Sequence, residues 1–153
     1  MKHFSLVLLL FILFKICEAQ NSQRPIHIGI SAEMLLDAPS YDGYIGVSGK
    51  YDLSKKHNIQ ANLGIQSPNI AFIGGDYIYN FLSITDRVNL FTGAGLGVGF
   101  SKRENWSNVN LHAGVDYGVT DKFSIFTLYK IKYYLSQESL EPNWISLGLR
   151  YRL

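Results

Sequence analysis

A chain of 153 residues is long enough to close one sheet but leaves no room for a separate catalytic domain. Only 17% of it is charged and 14% is aromatic, where soluble domains carry roughly 25% charged residues. The formal net charge of +2 gives no basis for nucleic-acid binding, and the 47% hydrophobic fraction decides nothing about membranes by itself.

The N-terminus reads as an address. Lys2 and His3 precede an apolar run at 4–14, and Cys17-Glu18-Ala19 places small residues three and one positions before Gln20, as at a signal-peptidase site. That run is too short to span a bilayer as a helix, which takes about 20 apolar residues. Residues 1–19 are therefore expected to be removed as a signal peptide, leaving 20–153 as one domain. A lipoprotein would be acylated at Cys17, but Phe14-Lys15-Ile16 lacks the small residue such sites prefer. Cleavage after Ala19 takes the only cysteine with it, and with it any disulfide or thiol chemistry. No apolar run of helix-spanning length follows, so an exported membrane protein of this sequence must be a barrel.

Eight alternating segments follow, separated by turn residues. Residues 26–34 set Ile26, Ile28, Ile30, Ala32 and Met34 against His27, Gly29, Ser31 and Glu33. Residues 41–53 oppose Ile45, Val47, Tyr51 and Leu53 to Tyr44, Ser48, Lys50 and Asp52. Residues 58–66 alternate Asn58, Gln60 and Asn62 with Ile59, Ala61 and Leu63, and Pro68-Asn69 then breaks the pattern. Residues 70–81, the least regular segment, place Ile73, Tyr77, Tyr79 and Phe81 opposite Phe72, Asp76 and Asn80, and 82–87 turn into the next segment. In 88–100, Val88, Leu90, Ala94, Leu96, Val98 and Phe100 back onto Gly93, Gly95, Gly97 and Gly99. Residues 108–119 oppose Leu111, Val115 and Tyr117 to Asn110, His112 and Asp116, and 123–135 oppose Phe123, Tyr129 and Tyr133 to Lys130 and Lys132. Residues 136–143 are expected as the longest late loop. The closing segment, 144–153, carries Arg150 and Arg152 on one face and Ile145, Leu147, Leu149, Tyr151 and Leu153 on the other.

Three turns repeat one order of aromatic, apolar, Ser or Thr, charged, apolar, in 51–59, 81–88 and 117–123. They join segments two to three, four to five and six to seven, so an up-and-down meander brings them to one end together with both termini.

Alternation alone does not say which face is inside, because a lipocalin-like soluble carrier of an apolar ligand has the opposite polarity. Four features favour an apolar exterior. The polar face is made of Gly, Asn and Ser with Tyr44, Phe72, Phe91, Phe126 and Trp144 among them, whereas water-facing surfaces hold about 25–35% Lys, Arg, Glu and Asp. The apolar face carries aromatic residues near its two ends, Tyr51, Tyr79, Phe81, Tyr117, Phe123 and Tyr151 by the short turns and Phe100 and Tyr133 opposite, as interfacial girdles require. Eight is an even number, and segments of about 9–11 residues tilted near 45° span a bilayer. The sequence also stops on its last alternating residue.

On these residues the chain resembles small outer-membrane β-barrel proteins such as OmpX and the membrane domain of OmpA. The resemblance implies an all-β, eight-stranded antiparallel up-and-down transmembrane barrel with short periplasmic turns, in the outer membrane of a diderm bacterium. It also implies that Ile145, Leu147, Leu149, Tyr151 and Leu153 form the signal by which the barrel-assembly machinery recognises its clients. Such signals usually close on phenylalanine, and this one closes on Leu153.

With that phase the lumen holds Glu33, Asp52, Asp76 and Asp116 against Lys50, Lys130, Lys132, Arg150 and Arg152, with His27 and His112. An eight-stranded barrel is just wide enough for side chains to fill, so a plugged lumen of paired charges is expected over a narrow pore for ions or small solutes. The glycines at 93–99 make room for bulky neighbours; they are not a phosphate loop, because no helix follows. No serine lies two residues from His112, so no nucleophile–base pair is expected. His27, His57 and His112 lack metal-ligand spacing. The expected protein is a monomer with no cofactor, no metal, no nucleic-acid partner and no enzymatic activity, whose partners are outer-membrane lipid and the assembly machinery. Of the outer loops, expected at roughly 4–9 residues, two carry charge or aromatic content, Ser101 to Trp106 and Ser136 to Asn143. Lys102 and Arg103 are the candidates for lipopolysaccharide phosphates there.

Overall fold

The computed structural model describes residues 25–36, 43–67, 70–102 and 105–153. The expected signal segment, 1–19, and Arg103 lie outside the described residues. Eight strands follow one another: β1 (Ile26–Leu35), β2 (Gly43–Asp52), β3 (His57–Ser67), β4 (Ile70–Thr85), β5 (Val88–Ser101), β6 (Asn105–Gly118), β7 (Phe123–Tyr134) and β8 (Ser139–Arg152). Each pairs antiparallel with the next, and β8 returns to β1 from His27 opposite Arg152 to Leu35 opposite Trp144, closing the barrel. Closure matters because it removes the sheet edge, and so the row of unpaired backbone groups that an edge would expose.

The side-chain phase follows from the period of two. In β7, Ser124, Phe126, Leu128, Lys130, Lys132 and Tyr134 point inward while Phe123, Ile125, Thr127, Tyr129, Ile131 and Tyr133 are exposed. The same holds around the wall: Ile45, Leu96 and Leu111 are 71%, 65% and 64% exposed, whereas Asn108 and Lys132 are 2% and 1% exposed. The outside is apolar and the inside is polar, the reverse of a water-soluble barrel. An apolar patch of this extent is far beyond what monomeric soluble proteins present to water.

Three strands depart from the expected bounds. β4 continues past Phe81 to Thr85, through register shifts between Asn80 and Leu82 and between Ser83 and Thr85. Each inserted residue breaks strict alternation, so the pattern read from the sequence stops at Phe81 while the strand continues; within 70–81 the irregularity is the inward Phe72 and Ile78. β6 begins at Asn105, earlier than the expected 108. β8 begins at Ser139, inside the stretch expected to be a loop. Lys130 faces Trp144 but Lys132 faces Glu141, so the Pro142-Asn143 pair sits in a bulge, where a proline can enter a strand. Asn143 takes φ 71°, a conformation asparagine tolerates, and the Tyr129 hydroxyl anchors it by donating to Oδ1 at 2.5 Å and accepting from the backbone N–H at 3.1 Å. The connections at 102–104 and 135–138 are correspondingly short.

Candidate functional site

The lumen is built in tiers. Towards the 135–138 connection, Trp144 of β8, Tyr44 of β2 and Phe72 of β4 gather around the ammonium of Lys132. Tyr44 lies 5.6 Å from Trp144 and 5.5 Å from Phe72, ring centre to ring centre. Lys132 Nζ is 3.4 Å from the Trp144 ring centre, 5.0 Å from that of Tyr44 and 5.8 Å from that of Phe72, so π faces take the place of part of its lost hydration. Glu33 of β1 supplies the counter-charge: one oxygen lies 3.0 Å from Lys130 Nζ, and the other pairs with Lys132 Nζ.

In the next tier, Asp76 accepts hydrogen bonds from Asn62 Nδ2 at 2.6 Å and Asn110 Nδ2 at 3.2 Å. The His112 ring is held by Asn110 Oδ1 at 3.0 Å, with Asp76 Oδ1 at 3.9 Å. Ile78, Phe91, Phe126 and Leu128 form a small apolar core beside them. Below it Arg150 donates to Asp116 at 2.5 Å and to Gln60 Oε1 at 2.7 Å, and its guanidinium stacks 3.7 Å over the Phe126 ring centre. The last tier, at the turn end, joins His27 Nε2 to Asp52 at 3.0 Å and Lys50 Nζ to the same carboxylate at 3.4 Å.

Of the charges expected in the lumen, Glu33, Lys50, Asp52, Asp76, Asp116, Lys130, Lys132 and Arg150 meet in these tiers. Arg152 does not: it is exposed at the turn-end rim and forms no ion pair among the described residues. The amides Gln60, Asn62 and Asn110 and the rings around Lys132 and Arg150 are equal members of the network. Their inward phase was legible, but contacts across the lumen were not.

The exterior residues lie where girdles would. Tyr51, Tyr79, Phe81, Tyr117, Phe123 and Tyr151 ring the turn end, with Phe123 and Tyr151 4.9 Å apart, and Phe100 and Tyr133 lie at the other end. Ile145, Leu147 and Leu149 share the outer face of β8 with Tyr151, and the exposed Leu153 follows just past its end. Next to the girdle, the His57 ring bonds the Tyr77 hydroxyl.

The glycines of β5 lie beneath the bulkiest lumen groups. A Cβ on Gly97 would meet the Phe72 ring, one on Gly99 the Trp106 ring, and one on Gly95 the Asp76 carboxylate, with Gly75 O at 2.7 Å. Gly95→Val is therefore expected to cost about 2–3 kcal/mol by overpacking. Gly49→Ala, with open space around its Cβ, should be neutral. Urea unfolding midpoints of the two variants in lipid vesicles measure the contrast, and equal midpoints would contradict a filled lumen.

One cavity among the described residues, of about 40 Å³, is lined by Ser31, Glu33, Tyr44, Asn62, Phe72 and Lys130. That suits a water molecule or two. Among the described residues no three His, Cys, Asp or Glu side chains converge as a metal set.

No family model matches the chain, and no curated protein matches it. Solved structures do. The N-terminal β-barrel domain of Pseudomonas aeruginosa OprF aligns with a TM-score of 0.70 at 17% identity, covering 84% of this chain and 97% of that one. Neisserial surface protein A aligns with a TM-score of 0.56 at 16% identity, covering 86% and 98%. Ail of Yersinia pestis, solved with the heparin analogue sucrose octasulfate, aligns with a TM-score of 0.52 at 16% identity, covering 85% and 97%. The shared property is the fold, that of a small eight-stranded transmembrane β-barrel.

Proposed function

We propose that this chain is an integral outer-membrane barrel of a diderm bacterium, with a side-chain-filled lumen and a structural or surface-interaction role rather than a catalytic one. The observation that carries the reading is the inverted polarity: large apolar side chains are exposed on all eight strands, while ion pairs fill the centre. In hydrocarbon that exterior is favourable, and the closed ladder leaves no sheet edge open to lipid. A soluble carrier would need the charges outside and an apolar cavity within. His112 is engaged by an amide rather than by a serine hydroxyl, which supports a packing role for it.

The partners that follow are outer-membrane lipid around the wall and, during assembly, the barrel-assembly machinery reading the exposed face of β8. Residues 1–19 would direct export, and the protein would act as a monomer. Electrophoresis of the outer-membrane fraction tests this reading. The unboiled sample should migrate differently from the boiled one, and a chain extracted by carbonate as a soluble species would refute it. Planar bilayers should show no conductance, because ions would have to pass the tiers joining Glu33, Lys130 and Lys132 and joining Arg150, Asp116 and Gln60.

A further inference from the structure

We propose that the turn end of the barrel is a collar that docks anionic phospholipid headgroups, built by one turn repeated three times; this rests on the membrane-spanning reading above. Ser54, Thr85 and Thr120 hold equivalent positions in the β2–β3, β4–β5 and β6–β7 turns. Each hydroxyl accepts the backbone N–H two residues on, from Lys56, Arg87 and Lys122, at 3.2 Å in every case. Each also accepts the N–H three residues on, from His57, Val88 and Phe123, at 3.0–3.1 Å. The residue two on is a cation in all three turns.

A second set of bonds fixes those cations around the rim. The carbonyls of Lys56, Arg87 and Lys122 accept from Asn80 N at 2.8 Å, Gly118 N at 2.7 Å and Arg152 N at 2.8 Å, so each turn is laced to the strand beyond it. Lys55 sits beside Lys56, and its carbonyl accepts from the Asn80 side chain at 3.3 Å. Lys55, Lys56, Arg87, Lys122 and Arg152 are all exposed, and none forms an ion pair among the described residues. Only two exposed carboxylates share those turns, Asp86 and Asp121. The loops at the opposite end have the contrary balance in sequence: Asp37, Asp42, Glu104 and Glu138 against Lys102 and Arg103.

The neighbours of the cations select the occupant. Leu53, Ile84, Val119 and Phe123 flank them in the same turns and are 36–59% exposed, continuous with the apolar wall. Lys122 Nζ also lies 5.8 Å from the ring centre of Tyr151 in the girdle. A surface that puts cations at the margin of an apolar band matches phosphodiesters above acyl chains, with the lysine and arginine stems lying along the apolar part. An acidic soluble partner would satisfy the charges but leave Leu53, Ile84 and Val119 in water.

Lipid selectivity of the folded barrel tests this. Spin-labelled phosphatidylglycerol and phosphatidylcholine are compared for association with the chain folded in phosphatidylcholine vesicles, folding being verified by the heat-dependent shift. The protein should favour the anionic label by about fivefold or more, less so in high salt. The variant carrying Lys56→Gln, Arg87→Gln and Lys122→Gln should bring the preference close to one, whereas Glu138→Gln, a charge change at the other end, should leave it unchanged. A folded wild-type barrel without anionic preference, or with a preference indifferent to salt, overturns the collar, as does a folded triple variant that keeps it. Should the triple variant not fold, the wild-type preference and its salt dependence decide. A wild-type chain that folds in no vesicle fails earlier, at the membrane-spanning reading.

Discussion

Replacing Glu33 with glutamine is expected to destabilise the barrel by about 3–5 kcal/mol, the cost of leaving buried charge without its partner. Glu33 lies on β1, paired in register with Tyr44 of β2 and Ser146 of β8, yet its carboxylate reaches past β8 to two lysines of β7. Lys130 and Lys132 are 5% and 1% exposed, and Glu33 is the only carboxylate within ion-pair distance of either among the described residues. The rings around Lys132 soften its loss but carry no formal charge, and Lys130 has no such cage. Because the pair bridges β1 and β7 across β8, the damage falls where the sheet closes. Reversible urea unfolding from lipid vesicles gives the measurement. Removing all three charges together, as Glu33→Leu with Lys130→Met and Lys132→Met, should restore most of the loss, since the penalty comes from isolation of charge and not from absence of the bridge. An E33Q midpoint equal to that of the wild type would show that water reaches this tier freely.

The difference between what the alternation revealed and what it concealed has a physical cause. A period of two specifies which side of the wall each residue faces, so the inward set from His27 to Arg150 could be read one strand at a time. Register between neighbours is likewise constrained, because a slip of one residue would turn every charge into the hydrocarbon. Bulges obey neither rule. The C-terminal end of β4 and the start of β8 differ from the sequence pattern because the inserted residues near Phe81, Ile84 and Pro142-Asn143 reset the phase locally. Contacts across the lumen were hidden for another reason: Glu33 meets Lys132, and Arg150 meets Gln60 ninety positions away, through barrel curvature and stagger that no single strand encodes. Arg152 shows the limit of phase alone. It keeps the inward parity of Arg150 but stands exposed at the rim, with no ion pair to a lumen carboxylate among the described residues.

Ala94→Arg is expected to cost about 2–4 kcal/mol, because the position lies midway along β5 on the face assigned to lipid. Ala94 pairs with Tyr77 of β4 and Leu111 of β6, and the exposed Leu96 adjoins it, so the guanidinium would stand on the outer face among largely apolar side chains, on the opposite side of the wall from the lumen carboxylates. The same residue introduced at Leu53→Arg, beside the turn-end cations, should cost only about 0–1 kcal/mol, since lipid-facing arginine becomes tolerable near the interface. The comparison isolates the surroundings from the protein. In water an exposed alanine changed to arginine stays within about 0.5 kcal/mol of neutral, wherever along the strand it lies. A depth-dependent penalty in vesicle unfolding therefore requires a hydrocarbon slab around the middle of the barrel. Equal, small costs at residues 94 and 53 would mean that the apolar wall is covered by something other than lipid.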